Sequence, residues 1–180
     1  MKKSYSIKLS LLSAMHINGG TSADSKRLIV KCDGKPYVPA TLLKGMIRAN
    51  FEMLVNTYEP HNAEITEKLF GSEGYNRSHI ILDNLISEQD IPLESRSNIA
   101  INRYTRKVND KALVFSEVAS CYDTEGNCSE FSGDMTAYFT DETKKYEKYL
   151  ICAVRMIDCI GTGKSRGMGF AEVTIDEKAC

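Results

Sequence analysis

The segment Gly161-Thr-Gly-Lys-Ser-Arg-Gly-Met-Gly169 contains four glycines with Lys164, Ser165 and Arg166 between them. Glycines let a backbone come close to a phosphate, which N–H groups, a hydroxyl and cations can then contact. The composition therefore predicts an anion-binding loop. A nucleotide-binding P-loop is excluded, because it needs a glycine where this chain has Asp158 and runs from a strand into a helix. Here the predicted helix comes before the loop and a predicted strand, 170–175, follows it.

A second segment, Tyr37-Val-Pro-Ala-Thr-Leu-Leu-Lys-Gly-Met-Ile-Arg48, opens a predicted amphipathic helix. We expect Thr41 to cap this helix. Lys44 and Arg48 are four residues apart, so they share a face near the helix start. Like charges repel each other at the positive end of a helix, so a bound anion would stabilise them. A solvated basic face is the alternative interpretation.

The composition limits the class of protein. A chain of 180 residues fits one domain, 1–180, and its net charge of −1 means that nucleic-acid binding would need local clusters of basic residues. The six cysteines include no CxxC pair, so we expect free thiols and no metal site. No apolar run is long enough for a membrane span, and the start of the chain has no signal core. We therefore expect a cytoplasmic protein with no membrane partner.

Residues 94–111 carry five basic and two acidic residues with few apolar ones. The apolar residues are too sparse for a core element. We predict a projecting, partly ordered hairpin or arm, an insertion near 88–111, whose charge and single tyrosine suit a polyanion. A solvated loop is the alternative.

The remaining pattern predicts an α+β fold. Strands are expected at 5–15, 28–32 and 78–86, with a break at 16–20 and a polar loop at 21–27. Helices are expected from 41, at 63–70 and at 142–160, and strands 112–119 and 131–139 should form an antiparallel pair. The order is βαββαβ, the ferredoxin-like pattern of RNA-recognition domains. The stacking aromatics of an RNA-recognition motif are missing, so RNA would be bound differently.

Four features occur together in one order along almost the whole chain. They are the Gly19-Gly20 break, the segment 37–48, the run Asn102-Arg-Tyr-Thr-Arg before Phe115-Ser-Glu-Val, and the glycine loop that leads into Gly169-Phe-Ala-Glu-Val. In this combination the sequence resembles the RAMP superfamily of CRISPR proteins. It is most similar to the backbone subunits of type III-like effector complexes.

The resemblance implies a crRNA-binding subunit in antiviral defence. It would polymerise with copies of itself along the guide, join other effector subunits in a ribonucleoprotein, and position target RNA, with the arm as a thumb that kinks the duplex. Contacts would be mainly to the RNA backbone. The implied RNA-binding residues are His16, Asn18, Gly19, Gly20, Thr41, Lys44, Arg48, Asn102, Arg103, Arg106, Lys107, Gly163, Lys164, Ser165, Arg166, Gly167 and Met168.

Two departures from the family pattern leave the activity open. Pro39-Ala-Thr-Leu-Leu-Lys-Gly45 replaces the usual Pro-Gly-Ser-Ser-Leu-Lys-Gly, which removes some hydroxyl contacts. Cutting members carry an aspartate in the loop after the first strand, often just before a proline. Here Asp24-Ser-Lys-Arg-Leu28 lacks that proline, and a gapless match places Lys26 near the expected position. Target cleavage by Asp24 with Mg²⁺ or Mn²⁺ therefore competes with a binding-only role. Two more hypotheses are a subunit that caps the crRNA 5′ tag and a metal-independent endoribonuclease that processes guides with His16 as acid or base.

Overall fold

The computed structural model describes residues 1–62, 64–74, 76–109 and 112–178. Within these residues, the helices are α1 (Ala40–Tyr58), α2 (Glu64–Phe70) and α3 (Glu147–Arg155). The strands are β1 (Lys2–Leu11), β2 (Asn18–Thr21), β3 (Arg27–Ile29), β4 (Lys31–Cys32), β5 (Lys35–Pro36), β6 (Ile80–Leu82), β7 (Leu93–Asn98), β8 (Val114–Ala119), β9 (Glu130–Tyr138) and β10 (Ala171–Glu177). The predicted α+β fold is confirmed.

The main sheet has four strands in the order β10-β1-β9-β6, and every neighbouring pair is antiparallel. Along β1, Tyr5, Ile7, Leu9 and Leu11 alternate with polar residues and are buried. This alternation is why the segment forms a strand with one face on the core. Helices α1 and α3 pack against each other and contribute to the same hydrophobic cluster as β1.

The second sheet has the order β2-β3-β8-β7. The prediction that 112–119 and 131–139 pair with each other is wrong, because β8 lies between β3 and β7 while β9 lies between β1 and β6. The intervening turn resembles a hairpin in sequence. Asp123 closes it by accepting backbone N–H bonds from Glu125 and Asn127, at 2.9 and 2.8 Å. The turn therefore carries the chain from one sheet to the other.

Three predicted boundaries also change in the N-terminal half and the arm. The expected break at 16–20 and loop at 21–27 contain β2 and the start of β3, which pair as a hairpin. The first part of the arm is the regular strand β7, paired with β8 along its length. The arm prediction also includes residues 110 and 111, which lie outside the described residues.

The helices differ from prediction at their ends. Pro39 is the N-cap of α1, so Thr41 lies inside the first turn and does not cap the helix. Helix α3 starts later than predicted, because Thr140 and Thr143 form a hydrogen-bonded turn before it. It also ends before 160, and Cys159 instead pairs with Phe170. The predicted strand at 78–86 is reduced to β6, whereas α2 agrees with the predicted 63–70 apart from residue 63, which is not described.

No helix within the described residues is both long and apolar enough to cross a membrane.

Candidate nucleic-acid interface

Two arginines flank a serine across three neighbouring strands of the second sheet. Arg27 on β3 is the register partner of Ser116 on β8, and Ser116 is also the partner of Arg96 on β7. Residues in register across a sheet lie about 4.8 Å apart per strand, so the arginine backbones are roughly 10 Å apart. The row therefore places one arginine on each side of the Ser116 hydroxyl.

The glycine loop lies beside this row, and a cleft of about 220 Å³ lies between them. Three of the ten lining residues are arginines and none is acidic. The lining residues are His16, Arg27, Arg96, Asn98, Ser116, Thr162, Gly163, Ser165, Arg166 and Met168. Cations and neutral donors without carboxylates suit an acceptor-rich anion such as phosphate.

Backbone hydrogen bonds attach the glycine loop to the segment that follows β1. The Thr162 N–H donates to the His16 carbonyl at 2.8 Å, and the Gly169 N–H donates to the Ala14 carbonyl at 2.9 Å. A Cβ atom at Gly169 would lie 1.9 Å from the Ile160 carbonyl oxygen, so this position has no room for a side chain. The loop is thus fixed at both ends while its cations stay exposed.

His16 and Ser116 are the buried polar residues among the lining residues of the cleft, and His16 has 3% of its surface exposed. Its Nδ1 lies 2.6 Å from the carbonyl oxygen of Glu117 on β8. A carbonyl only accepts, so Nδ1 carries the hydrogen and donates. Its Nε2 is buried and has no hydrogen-bond partner among the described residues. A buried, unpartnered nitrogen is unusual in folded proteins and suggests a ligand position.

The side chain of Glu117 connects β8 to β3 and β4. It accepts a hydrogen bond from the Ile29 N–H at 3.3 Å and pairs with Lys31 at 3.0 Å. Burial raises the pKa of Glu117, but the bonds from Lys31 and Ile29 outweigh burial and leave the pKa below its ordinary value. Glu117 is therefore charged at neutral pH and is already paired, so it leaves the cleft cationic.

The arginines of the cleft lack acidic partners in the described part of the chain. No Asp or Glu carboxylate there lies within 4.0 Å of Arg27, Arg96 or Arg166. The face of the main sheet that points away from the core has mixed charge. Its outward positions carry Glu130, Asp134, Glu172 and Asp176, of which Glu130 pairs with Lys8 and Asp134 with Lys178. The cleft, and not the open sheet face, is the surface suited to a polyanion.

The structure brings together five of the predicted RNA-binding residues in this cleft: His16, Gly163, Ser165, Arg166 and Met168. Lys164 and Gly167 belong to the same loop, where a 3₁₀ helix (Lys164–Arg166) lies between two left-handed glycines. Asn18, Gly19 and Gly20 lie on β2, in the same sheet as Arg27.

Lys44 and Arg48 lie elsewhere, on the part of α1 that faces the β6 edge of the main sheet. The Lys44 ammonium donates to the Ser78 hydroxyl at 2.6 Å and to the Ile80 carbonyl at 3.0 Å. Burial, with the neighbouring charge of Arg48, lowers the pKa of Lys44. Arg48 donates to the Gly71 carbonyl at 3.2 Å. These residues and the glycine loop contact different elements, and the cleft lining includes neither of them.

Arg48 lines a second cleft, which also has acidic lining residues. These are Glu67 and Glu73. Two carboxylates reduce the attraction of that cleft for a phosphate. Thr41 is exposed on the first turn of the same helix.

Asn102 organises the end of the arm. Its side-chain oxygen accepts the N–H groups of Tyr104 and Thr105, at 2.9 and 3.1 Å, and its carbonyl accepts the Arg106 N–H at 2.8 Å. Tyr104 is 97% exposed. Arg103, Arg106 and Lys107 are also exposed on this turn. The arm therefore ends in a tight turn with cations and one aromatic ring in solvent.

Asp24 is exposed in the turn between β2 and β3. In the described ranges, no group of three His, Cys, Asp or Glu side chains is arranged to hold a metal ion, so Asp24 has no carboxylate cluster around it. Divalent cations such as Mg²⁺ usually need several oxygen ligands. Any metal at Asp24 would need further ligands, from RNA or from another chain.

Five lining residues of the cleft were not predicted as site residues: Arg27, Arg96, Asn98, Ser116 and Thr162. Arg96 lies in the basic stretch 94–111, and Arg27 ends the polar loop before a predicted strand, so both gave a weak signal as charged residues. Their proximity could not be read from the sequence, because it depends on the parallel pairing of β3 with β8.

Comparison with known proteins gives the family. The family model of the RAMP superfamily matches residues 8–172, which is most of the chain. The chain belongs to the RAMP superfamily. The predicted resemblance is thereby confirmed. No curated protein matches the sequence.

Solved structures with the same fold include chains of Type III-B Cmr-beta complexes. One is from the Type III-B Cmr-beta complex bound to cognate target RNA, with a TM-score of 0.72 at 11% identity and 97% of each chain covered. Another is from the Type III-B Cmr-beta complex in the apo state, with a TM-score of 0.71 at 11% identity and 96% of each chain covered. At this identity the similarity shows the fold.

Proposed function

We propose that this RAMP protein is a crRNA-binding backbone subunit of a type III-like CRISPR effector complex. It would act in the cytoplasm, bind guide RNA together with copies of itself and other effector subunits, and position complementary target RNA. The observation that carries the proposal is the cleft between the Arg27–Ser116–Arg96 row and the glycine loop. It offers three arginines to an RNA backbone without an acidic lining residue.

The topology supports a ferredoxin-like assignment for the main sheet. Its strands follow the chain order β1, β6, β9, β10, with α1 and α3 in the two crossovers, and their spatial order is β10-β1-β9-β6. We propose that this βαββαβ unit is the core of a single domain over 1–180. The second sheet and the arm would be insertions into it, with the arm near 88–111 as the thumb.

The cleft should bind RNA largely without regard to sequence. Its lining side chains offer guanidinium and hydroxyl donors, which suit phosphate and ribose oxygens, and its described lining includes no Phe, Tyr or Trp on which a base could stack. Phosphate contacts release counterions, so the affinity falls as the salt concentration rises. This behaviour fits a subunit that leaves sequence recognition to guide–target base pairing.

The proposal is tested with Arg27→Gln, Arg96→Gln and Arg166→Gln, singly and combined. Binding of labelled single-stranded RNAs of several sequences is measured over a series of salt concentrations. Each lost phosphate contact should lower the slope of log affinity against log salt by about 0.7, so the triple variant should lose about 2. Lys178→Gln is the matched control, since Lys178 pairs with Asp134 of the main sheet and does not line the cleft. A triple variant that behaves like this control would overturn the proposed site.

Catalysis is a separate part of the proposal. If this subunit cuts target RNA, Asp24 is the candidate residue, with Mg²⁺ or Mn²⁺ held partly by the RNA. Because Asp24 is exposed in a turn, Asp24→Ala should leave folding and guide binding unchanged. In an assembled complex supplied with target RNA and Mn²⁺, loss of cutting would assign the reaction to Asp24. Undiminished cutting would remove Asp24 from the mechanism.

A further inference from the structure

His16, which lines the cleft, has a ring nitrogen that accepts a hydrogen bond when the ring is neutral, and a phosphate oxygen cannot supply that hydrogen. Arg27, Arg96 and Arg166 are donors, and phosphate oxygens are acceptors, so these groups are complementary. His16 Nε2 is different. It belongs to a residue with only 3% of its surface exposed, and no described residue donates to it.

The bond at the other ring nitrogen fixes what Nε2 can do. Since the Glu117 carbonyl accepts the hydrogen of Nδ1, the neutral ring presents its lone pair at Nε2. The Glu117 carbonyl belongs to β8, next to Ser116 of the arginine row, and the His16 carbonyl accepts the Thr162 N–H of the glycine loop. His16 is therefore held in one orientation by both walls of the cleft, with an acceptor left over.

A ligand that satisfies both kinds of group carries acceptor oxygens for the arginines and a donor for Nε2 of the neutral ring. A ribonucleotide carries both, because its 2′-hydroxyl can donate while its phosphate accepts. A deoxyribonucleotide lacks that donor. We infer that His16 Nε2 accepts a hydrogen bond from a ribose 2′-hydroxyl and so makes the cleft prefer RNA to DNA. The inference rests on the proposed function and names the residue that recognises the sugar.

The test compares three forms of one oligonucleotide: RNA, 2′-fluoro RNA and DNA. The 2′-fluoro form keeps the phosphates but cannot donate from the 2′ position. Two variants of the full chain test the two ring nitrogens of His16 separately. His16→Asn places an amide N–H where Nδ1 donates to Glu117 and removes the acceptor at Nε2. His16→Gln places a carbonyl oxygen near Nε2 and gives up the bond to Glu117. Thermal unfolding of each variant checks that it folds.

Wild type should bind RNA about five- to tenfold more tightly than 2′-fluoro RNA, the worth of one hydrogen bond. His16→Asn should reduce this ratio to about one, and His16→Gln should keep part of it. A ratio unchanged in His16→Asn, or a wild-type ratio near one, overturns the inference while leaving RNA binding by the arginines intact. Failure of the proposed function looks different, because RNA binding would then be insensitive to Arg27, Arg96 and Arg166; that result also overturns the role of His16.

Discussion

The Nδ1 atom of His16 lies 2.6 Å from the carbonyl oxygen of Glu117, which joins the segment after β1 to the middle of β8. Each of these two residues has a second partner. The His16 carbonyl accepts a hydrogen bond from the Thr162 N–H, and the Glu117 carboxylate pairs with Lys31. One histidine thus connects the main sheet, the second sheet and the glycine loop. The cleft forms only when all three are in place.

The Glu117–Lys31 pair should make stability depend on pH. The pKa of Glu117 is lowered in the folded state, so its contribution is present above its ordinary pKa of 4.5 and is lost as the pH falls through the lower folded value. Glu117→Gln should therefore cost about 1–2 kcal/mol at pH 7 and much less near pH 3. Urea unfolding at both pH values measures this. Glu130→Gln, which breaks the more exposed pair with Lys8, should cost less than about 1 kcal/mol. An equal cost of Glu117→Gln at both pH values would mean that charge is not the cause.

Gly169 and Gly167 form a matched pair for testing the loop. Both have a φ of +77°, but a Cβ at Gly169 would lie 1.9 Å from the Ile160 oxygen, whereas a Cβ at Gly167 would meet nothing within 4 Å. Gly167→Ala should cost about 1–2 kcal/mol through backbone strain alone. Gly169→Ala should cost at least about 3 kcal/mol because the backbone must also move. Similar unfolding free energies for the two variants would contradict this close approach.

Arg48 and Arg166 should contribute unequally to RNA binding. Arg48 shares its cleft with Glu67 and Glu73, while the cleft around Arg166 has no acidic lining residue. Arg166→Ala should therefore weaken RNA binding more than Arg48→Ala, and should reduce the salt slope by about 0.7. Fluorescence anisotropy over a salt series measures both. An equal or larger loss from Arg48→Ala would make α1 the main guide contact, as the resemblance implied for Lys44 and Arg48.

Variants at Tyr104 and Asn102 test the binding role of the arm and the folding of its turn separately. Tyr104 is 97% exposed, so Tyr104→Ala should change the free energy of unfolding by less than about 0.5 kcal/mol. It should still weaken binding to a guide–target duplex if the arm is a thumb. Asn102→Ala removes the acceptor of two backbone N–H groups and should loosen the turn, which faster hydrogen exchange at Tyr104 and Thr105 would report. Unchanged duplex binding by Tyr104→Ala would argue against the thumb.

Local patterns predicted much of the fold. The alternation Tyr5, Ile7, Leu9 predicted β1, and the apolar period after Pro39 predicted α1, because each pattern follows directly from which face is buried. The predicted pairing of β8 with β9 was wrong. A short polar turn can join two paired strands or two strands of different sheets, so the turn alone does not tell which. Thr41 was wrongly taken as the cap, because the extended Pro39 begins the helix earlier in the chain.

The glycine loop was predicted as an anion-binding segment from its composition, and the structure places it beside arginines. The arginines that complete the cleft were not predicted. Arg27 and Arg96 become neighbours of Ser116 only through long-range pairing, and no local rule specifies such a register.

The open face of the main sheet and the cleft differ in charge. On the sheet face, Glu130 and Asp134 are paired with Lys8 and Lys178, and Glu172 and Asp176 have no cation within 4.0 Å among the described residues, whereas the cleft lining has three arginines and no carboxylate. In the proposed function, RNA would therefore meet the subunit through the cleft and not through the open sheet face. Successive copies along one strand would all meet it with the same side, and the polarity of the strand would set the polarity of the row.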